Sequence, residues 1–183
     1  MRQLYLNQAA LSARATTVIR DADNQSRYLL VGKWGLRADV LTVYLIDGSL
    51  EAEVRQESLG LLPRFRLIYH RQTVGRVNKT FGLIREVLFI RGLNWVVMGT
   101  LTTGGFRIYH GRALIATIQR VDQRDQTLVL TVDQPDHEAL VVCLAAILDR
   151  WAKRPQHSLS PLKHRGWTPG LSGEVAPFQT HHD

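Results

Sequence analysis

The sequence predicts a mainly β protein, a closed antiparallel barrel of about twelve strands enclosing a central hydrophobic C-terminal α-helix. Three observations lead there. From Gln3 to Val132 apolar and polar residues alternate with a period of two rather than 3.6. Nothing between the candidate strands is long enough to hold a crossover helix, so sequence neighbours pair antiparallel. Residues 139–148 then run Ala-Leu-Val-Val-Cys-Leu-Ala-Ala-Ile-Leu, with no polar side chain on any face. A helix apolar all round has to be enclosed by protein. A sheet of that many strands curls and closes to lose its edges, and the resulting lumen is too wide for strand side chains alone. The helix is the filler.

The candidate strands are 3–8, 15–20, 27–33, 40–46, 49–57, 64–70, 72–80, 83–91, 94–101, 105–109, 112–120 and 127–132. The clearest is the fifth, where Leu50, Ala52 and Val54 alternate with Glu51, Glu53, Arg55 and Glu57, one buried face against one wet face. Links between strands are short and polar, among them Asp21-Ala22-Asp23-Asn24, Asp47-Gly48, His70-Arg71-Gln72, Arg91-Gly92 and His110-Gly111. Asp-Gly between two alternating runs is a hairpin signal. A faint repeat supports the series: an aromatic lies near the end of the first strand of three hairpins, at Tyr44, Tyr69 and Tyr109. The repeats are too short to stack as a solenoid and read as successive hairpins of one sheet.

The helix is predicted over about 134–152. Asp133 serves as N-cap with Asp136 three residues on, and Pro135 sits where the first turn has no use for an N–H. Asp136 and Glu138 suit the positive end of the helix dipole, and Arg150, Lys153 and Arg154 the negative end, before Pro155 stops the helix. Ten apolar residues rise only about 15 Å, half a bilayer core, so a transmembrane span is excluded. Cys143, the sole cysteine, lies within the apolar run and reads as a small buried hydrophobe. No intrachain disulfide is possible, no signal-peptide pattern opens the chain, and a cytoplasmic address is the expectation. The domain is expected to span 1–154. Residues 155–183, with Pro155, Pro161, Pro169 and Pro177 and no periodicity, read as a disordered tail.

Residues Arg91-Gly92-Leu93-Asn94-Trp95-Val96-Val97-Met98-Gly99, then Phe106-Arg107-Ile108-Tyr109-His110-Gly111 and Ala116-Thr117-Ile118, resemble the LURP-one-related family. So does Leu61-Leu62-Pro63-Arg64-Phe65-Arg66-Leu67-Ile68-Tyr69, and the match covers roughly residues 3–152 around a Gly-Leu-x-Trp-x-Val-x-Gly core. That family belongs with the tubby C-terminal domains and the phospholipid scramblases. The resemblance implies a twelve-stranded barrel around a hydrophobic C-terminal helix, and no particular activity, since most members have none assigned. Tubby-type domains bind phosphoinositide headgroups through basic residues, but their Lys/Arg motif is not matched at these positions. The calcium-binding segment and palmitoylated cysteine cluster of scramblases are absent, which argues against lipid scrambling.

The residues themselves offer little to an enzyme, a metal or a cofactor. Gly99-Thr100-Leu101-Thr102-Thr103-Gly104-Gly105 lacks the Lys-Ser/Thr of a P-loop and joins two strands, and Gly170-Leu171-Ser172-Gly173 is no nucleophile elbow. His70 and His110 each follow a tyrosine at a hairpin turn and read as turn residues. His157, His164, His181 and His182 lack a cysteine partner or fixed spacing for a metal site. The non-random feature is charge. Residues 1–57 hold seven basic and seven acidic residues, whereas 58–121 hold ten basic residues and the single acid Glu86, a net of +9. Because consecutive strands are neighbours, Arg64, Arg66, Arg71, Arg76, Lys79, Arg85, Arg91 and Arg107 are predicted to share one sector of the wall and to bind an anionic ligand.

An anionic phospholipid or phosphoinositide membrane surface fits a rigid arginine sector. Nucleic acid fits less well, because the predicted helix is inside the barrel and no recognition helix remains. Phe65, Tyr69, Phe89 and Phe106 mostly fit the core phase and make a poor base-stacking platform. A regulatory protein using the same basic patch and a solvated face with no ligand are the other readings, and a lumenal apolar ligand is disfavoured because the helix takes that volume. Truncation after Arg154 is expected to leave the melting temperature nearly unchanged in a thermal melt; a large drop would show that Trp167 or Phe178 anchors the tail to the barrel.

Overall fold

Alternation sends one set of side chains into a lumen and the other to the outer wall. In the computed structural model, which describes residues 1–12, 16–33, 40–58, 63–78, 86–100, 104–122 and 127–153, that lumen is enclosed by a single ring. Its strands are β1 (Arg2–Asn7), β2 (Thr17–Asp21), β3 (Ser26–Lys33), β4 (Val40–Leu45), β5 (Leu50–Gln56) and β6 (Arg64–Tyr69). They continue as β7 (Gln72–Asn78), β8 (Glu86–Arg91), β9 (Trp95–Thr100), β10 (Gly105–His110), β11 (Ala113–Asp122) and β12 (Thr127–Val132). Each strand pairs with its sequence neighbours, and β1 closes the ring antiparallel to β12 in register Arg2↔Val132 through Asn7↔Thr127. All twelve expected strands are present. The expected ends at 15, 79–80, 83–85 and 101, and the tail at 155–183, lie outside the described residues.

The turns follow their local chemistry. Gly48 takes φ 87°, and the Asp47 carboxylate accepts from the Ser49 amide at 2.8 Å and its hydroxyl at 2.6 Å. His70 and Arg71 both sit at positive φ, 45° and 65°, in the tight link between β6 and β7. The Gly-Leu-x-Trp-x-Val-x-Gly core is explained by packing. A Cβ at Gly92 (φ 98°) would stand 2.3 Å from the Val74 carbonyl oxygen, and one at Gly99 would stand 2.2 Å from that of Gly105. Trp95 and Val97 between them are buried, and the Trp95 ring meets His137 edge-on at 5.1 Å.

The C-terminal helix occupies the lumen. It is the second helix among the described residues, α2 (Pro135–Lys153), and Glu138 through Trp151 are buried along it without a break. Leu4, Leu6, Val43, Val54, Phe65, Leu67 and Ile108 line the facing wall, each at most 1% exposed. Phe65 meets Trp151 edge-on at 5.6 Å. Cys143 is fully enclosed, and burial, with the Glu53 charge adding to it, pushes its thiol well above the usual range.

Two local expectations need correction. Pro135 is the first helical residue, so Asp133 stands one position outside the N-cap; its amide donates to the Ile115 carbonyl at 3.0 Å, and its carboxylate lies 3.2 Å from His137 Nδ1. The chain also holds a further helix, α1 (Gln8–Ser12), between β1 and β2. The Asn7 side chain caps it, accepting from the Ala9 amide at 2.8 Å, and Leu11 is buried.

Both ends of α2 carry a buried acid with named partners. Glu138 accepts from Arg2 at 3.1 Å and from the Tyr28 hydroxyl at 2.9 Å. Burial and then the Glu138 charge push the Tyr28 phenol up, so it stays a donor. Asp149 accepts from Gln8 at 2.7 Å and pairs with Lys153 at 2.8 Å, while the Lys153 ammonium donates to the Gln8 carbonyl at 2.9 Å.

Ala146→Asp puts a carboxylate where neither water nor a partner reaches and is expected to cost several kcal/mol in urea unfolding. Native Cys143 is expected to resist thiol reagents until the chain unfolds. An Ala146→Asp variant as stable as the parent, or fast native labelling, would contradict the enclosed helix. Gln8→Ala leaves Asp149 short of one donor at a buried site and is expected to cost about 1–3 kcal/mol in the same assay.

Candidate anionic-ligand surface

Register builds the basic surface. Arg55 on β5 lies opposite Arg66 on β6, Arg66 opposite Arg76 on β7, and Arg76 opposite Arg91 on β8. Four arginines thus stand in one lateral row across four adjacent strands, on the outer face, spaced by about 4.8 Å of strand separation. Like charges directly opposite are unfavourable, and the acids Glu53 and Glu57 moderate them. Glu57, just past the end of β5, accepts from Arg66 Nε at 2.6 Å and lies 3.6 Å from Arg76 Nε. Glu53 pairs with Arg55. The Arg55 and Arg76 side chains nevertheless remain 57% and 58% exposed. Arg91 is exposed at the end of the row.

Of the residues predicted from charge, Arg66, Arg76 and Arg91 belong to this row. Arg64 is exposed on β6 opposite Asn78, and Arg71 is exposed in the β6–β7 turn. Arg107 stands apart on β10, flanked by Met98 on β9 and Thr117 on β11. Lys79 and Arg85 lie outside the described residues. Charge summed along the sequence leaves out Arg55, Glu53 and Glu57, because they fall in the stretch whose charges cancel; the alternation of β5 and its adjacency to β6 are the available signal.

Other polar groups among the described residues bond to one another. Glu51 accepts from the Tyr69 hydroxyl at 3.2 Å and lies 3.7 Å from His70 Nε2. Burial, then the Glu51 charge, pushes Tyr69 up to about 12. His70 and His110 stand four strands apart, each at a hairpin turn. A cleft of about 320 Å³ beside Tyr28 and Ser26 contains Arg2 and Arg27, whose guanidiniums are committed to Glu138 and Asp21. Among the described residues no cluster of His, Cys, Asp and Glu could hold a metal ion, and no helix is long and apolar enough to cross a membrane. The four tail histidines lie outside the described residues.

The comparisons with known proteins concern the fold more than the surface. No family model matches the chain. An uncharacterized protein of Bacillus subtilis (strain 168), YxjI, is 25% identical over 120 residues, covering 66% of this chain and 74% of that protein. A protein of Arabidopsis thaliana solved by X-ray crystallography superposes with a TM-score of 0.57 at 18% identity, covering 82% of this chain and 90% of that one. That likeness, with the twelve-stranded barrel and its C-terminal helix, fits the fold implied by the sequence resemblance.

Glu57→Gln removes the acid shared by Arg66 and Arg76 and is expected to cost up to about 1 kcal/mol in urea unfolding, as befits exposed pairs. Arg76→Gln is expected to be less destabilising in the Glu57→Gln background than in the parent. Equal costs in both backgrounds would mean that Glu57 does not moderate the row.

Proposed function

We propose that this chain is a non-enzymatic scaffold of the LURP-one-related, tubby C-terminal-like and scramblase-related kind, acting in the cytoplasm and docking on anionic lipid headgroups through its basic wall. The observation that supports it best is the lateral row Arg55, Arg66, Arg76 and Arg91. Guanidiniums are planar, permanently charged forks suited to phosphate oxygens. Held on the rigid wall of a closed ring, they lose little conformational freedom on engaging a charged surface. Arg64 and Arg71 extend the basic area on the same side of the ring.

Nucleic acid would draw on the same charges, and the two ligands separate in one experiment. The parent and an Arg66→Gln, Arg76→Gln, Arg91→Gln variant are compared for binding to neutral phosphatidylcholine vesicles, to vesicles containing phosphatidylserine or phosphoinositide, and to duplex DNA. Each basic residue near an anionic leaflet contributes about 1 kcal/mol, so three neutralisations are expected to weaken binding to the anionic vesicles about a hundredfold, with neutral vesicles ignored throughout. Binding to DNA with a steep salt slope, and not to vesicles, would replace the lipid reading with nucleic acid. Binding to neither at low salt would leave a solvated face with no ligand.

A further inference from the structure

Beyond the arginine row the outer wall holds a contiguous group of apolar side chains. Val87 on β8 pairs with Met98 on β9, and Phe89 pairs with Val96. Val96 pairs in turn with Tyr109 on β10, and Tyr109 with Leu114 on β11. These six side chains share the outer face, opposite in phase to the buried Leu88, Ile90, Val97 and Ile108. Val87, Phe89 and Met98 are 48%, 49% and 45% exposed. The stripe from Phe89 to Leu114 crosses four strands, about 14 Å of wall. Phe89 in particular departs from the core phase expected of it, and shares instead the outward phase of Arg91, two residues on.

The border of the stripe is basic. Arg91 follows Phe89 on the same face, Arg107 stands directly opposite Met98, and Arg112 lies in the turn two residues before Leu114. Between Ser58 and Val121 the sequence holds one acid, Glu86. A protein partner for such a face would need a concave apolar surface, because the outside of a closed barrel is convex. A bilayer surface deforms around a convex body and supplies both the apolar layer and the negative charge. We infer that the Val87, Phe89, Met98 and Leu114 face of β8–β11 enters the headgroup and upper acyl region of an anionic membrane, with Arg91 and Arg107 held at the phosphates. This rests on the lipid reading above and adds to it a penetrating surface and a fixed orientation, with β8–β11 toward the membrane and β2–β3 away from it.

The buried Cys143 makes the test direct, since a cysteine introduced on the wall is labelled alone. Full-length Met98→Cys and Val18→Cys carry an environment-sensitive fluorophore; Val18 is exposed on β2, opposite β8 in the ring. With phosphatidylserine-containing vesicles, the label at 98 is expected to shift blue and to be quenched by bromine-labelled acyl chains, and the label at 18 to do neither. Phe89→Ser with Met98→Ser is expected to weaken vesicle affinity about tenfold and to remove binding that persists at high salt, since half-exposed apolar side chains lose the water-excluding contact. Vesicle binding with no shift at 98, or with equal shifts at both positions, overturns the inserted face while leaving headgroup binding intact. Absence of vesicle binding overturns both readings. A concentration-dependent dimer in sedimentation velocity that shields the label at 98 assigns the face to a second copy of the chain and overturns the inference.

Discussion

Everything in this fold depends on enclosing one helix that no solvent tolerates. Residues 139–148 have no polar side chain, yet the acids Glu138 and Asp149 that flank them are buried as well. Burying an acid is costly unless partners meet it. Those partners come largely from the opposite end of the chain. Arg2 reaches Glu138 and Gln8 reaches Asp149, so β1 and the start of α1 run alongside α2 and hold it at both ends. The lengths match: eleven helical residues rise about 16 Å, and six extended ones span about 20 Å. Closure of the ring between β1 and β12 and seating of the helix are thus one event, joining residues up to 145 positions apart. Such non-local pairing belongs with slow folding.

The strands and the central helix were legible because burial imposes a strict signal on them. A wall residue is either inward or outward, and a one-residue slip would invert the face, so the alternation in β5 or β6 carries little ambiguity. The five residues of α1 are too few for a helical period to register; tertiary contacts from Asp149 and Lys153 define it instead. Asp133 stands one position outside the N-cap because Pro135 favours the first helical turn, and Asp133 bonds Ile115 and meets His137 instead.

The surface was less legible than the core. Along the sequence the charge changes character at residue 57, but in a ring the last residues before that boundary pair with the first strand after it. Glu53 and Glu57 therefore stand among the arginines that the sum had separated from them, and Arg55 joins the row. Lateral register decides which charges meet, and it depends on loop lengths and bulges such as the shift between Leu67 and Ile68. The phase of Phe89 is hidden in the sequence for a related reason. Val87, Leu88, Phe89 and Ile90 are apolar in both phases, so only Arg91 marks which side is out.

A filled lumen also confines where this protein can meet anything else. The wall's inward positions are committed to the helix, and at the two mouths Glu138 and Asp149 consume the nearby donors Arg2, Tyr28, Gln8 and Lys153. Among the described residues the outer phase of the strands is left, where side chains point away from the lumen. Among the described residues two rows there depart from an ordinary mixed surface, the arginines of β5–β8 and the apolar side chains of β8–β11. They meet on β8, where Phe89 and Arg91 are two residues apart on one face. Because period-two geometry fixes those side chains to the same side, β8 holds charge and apolar surface in a constant relation that no loop movement can alter.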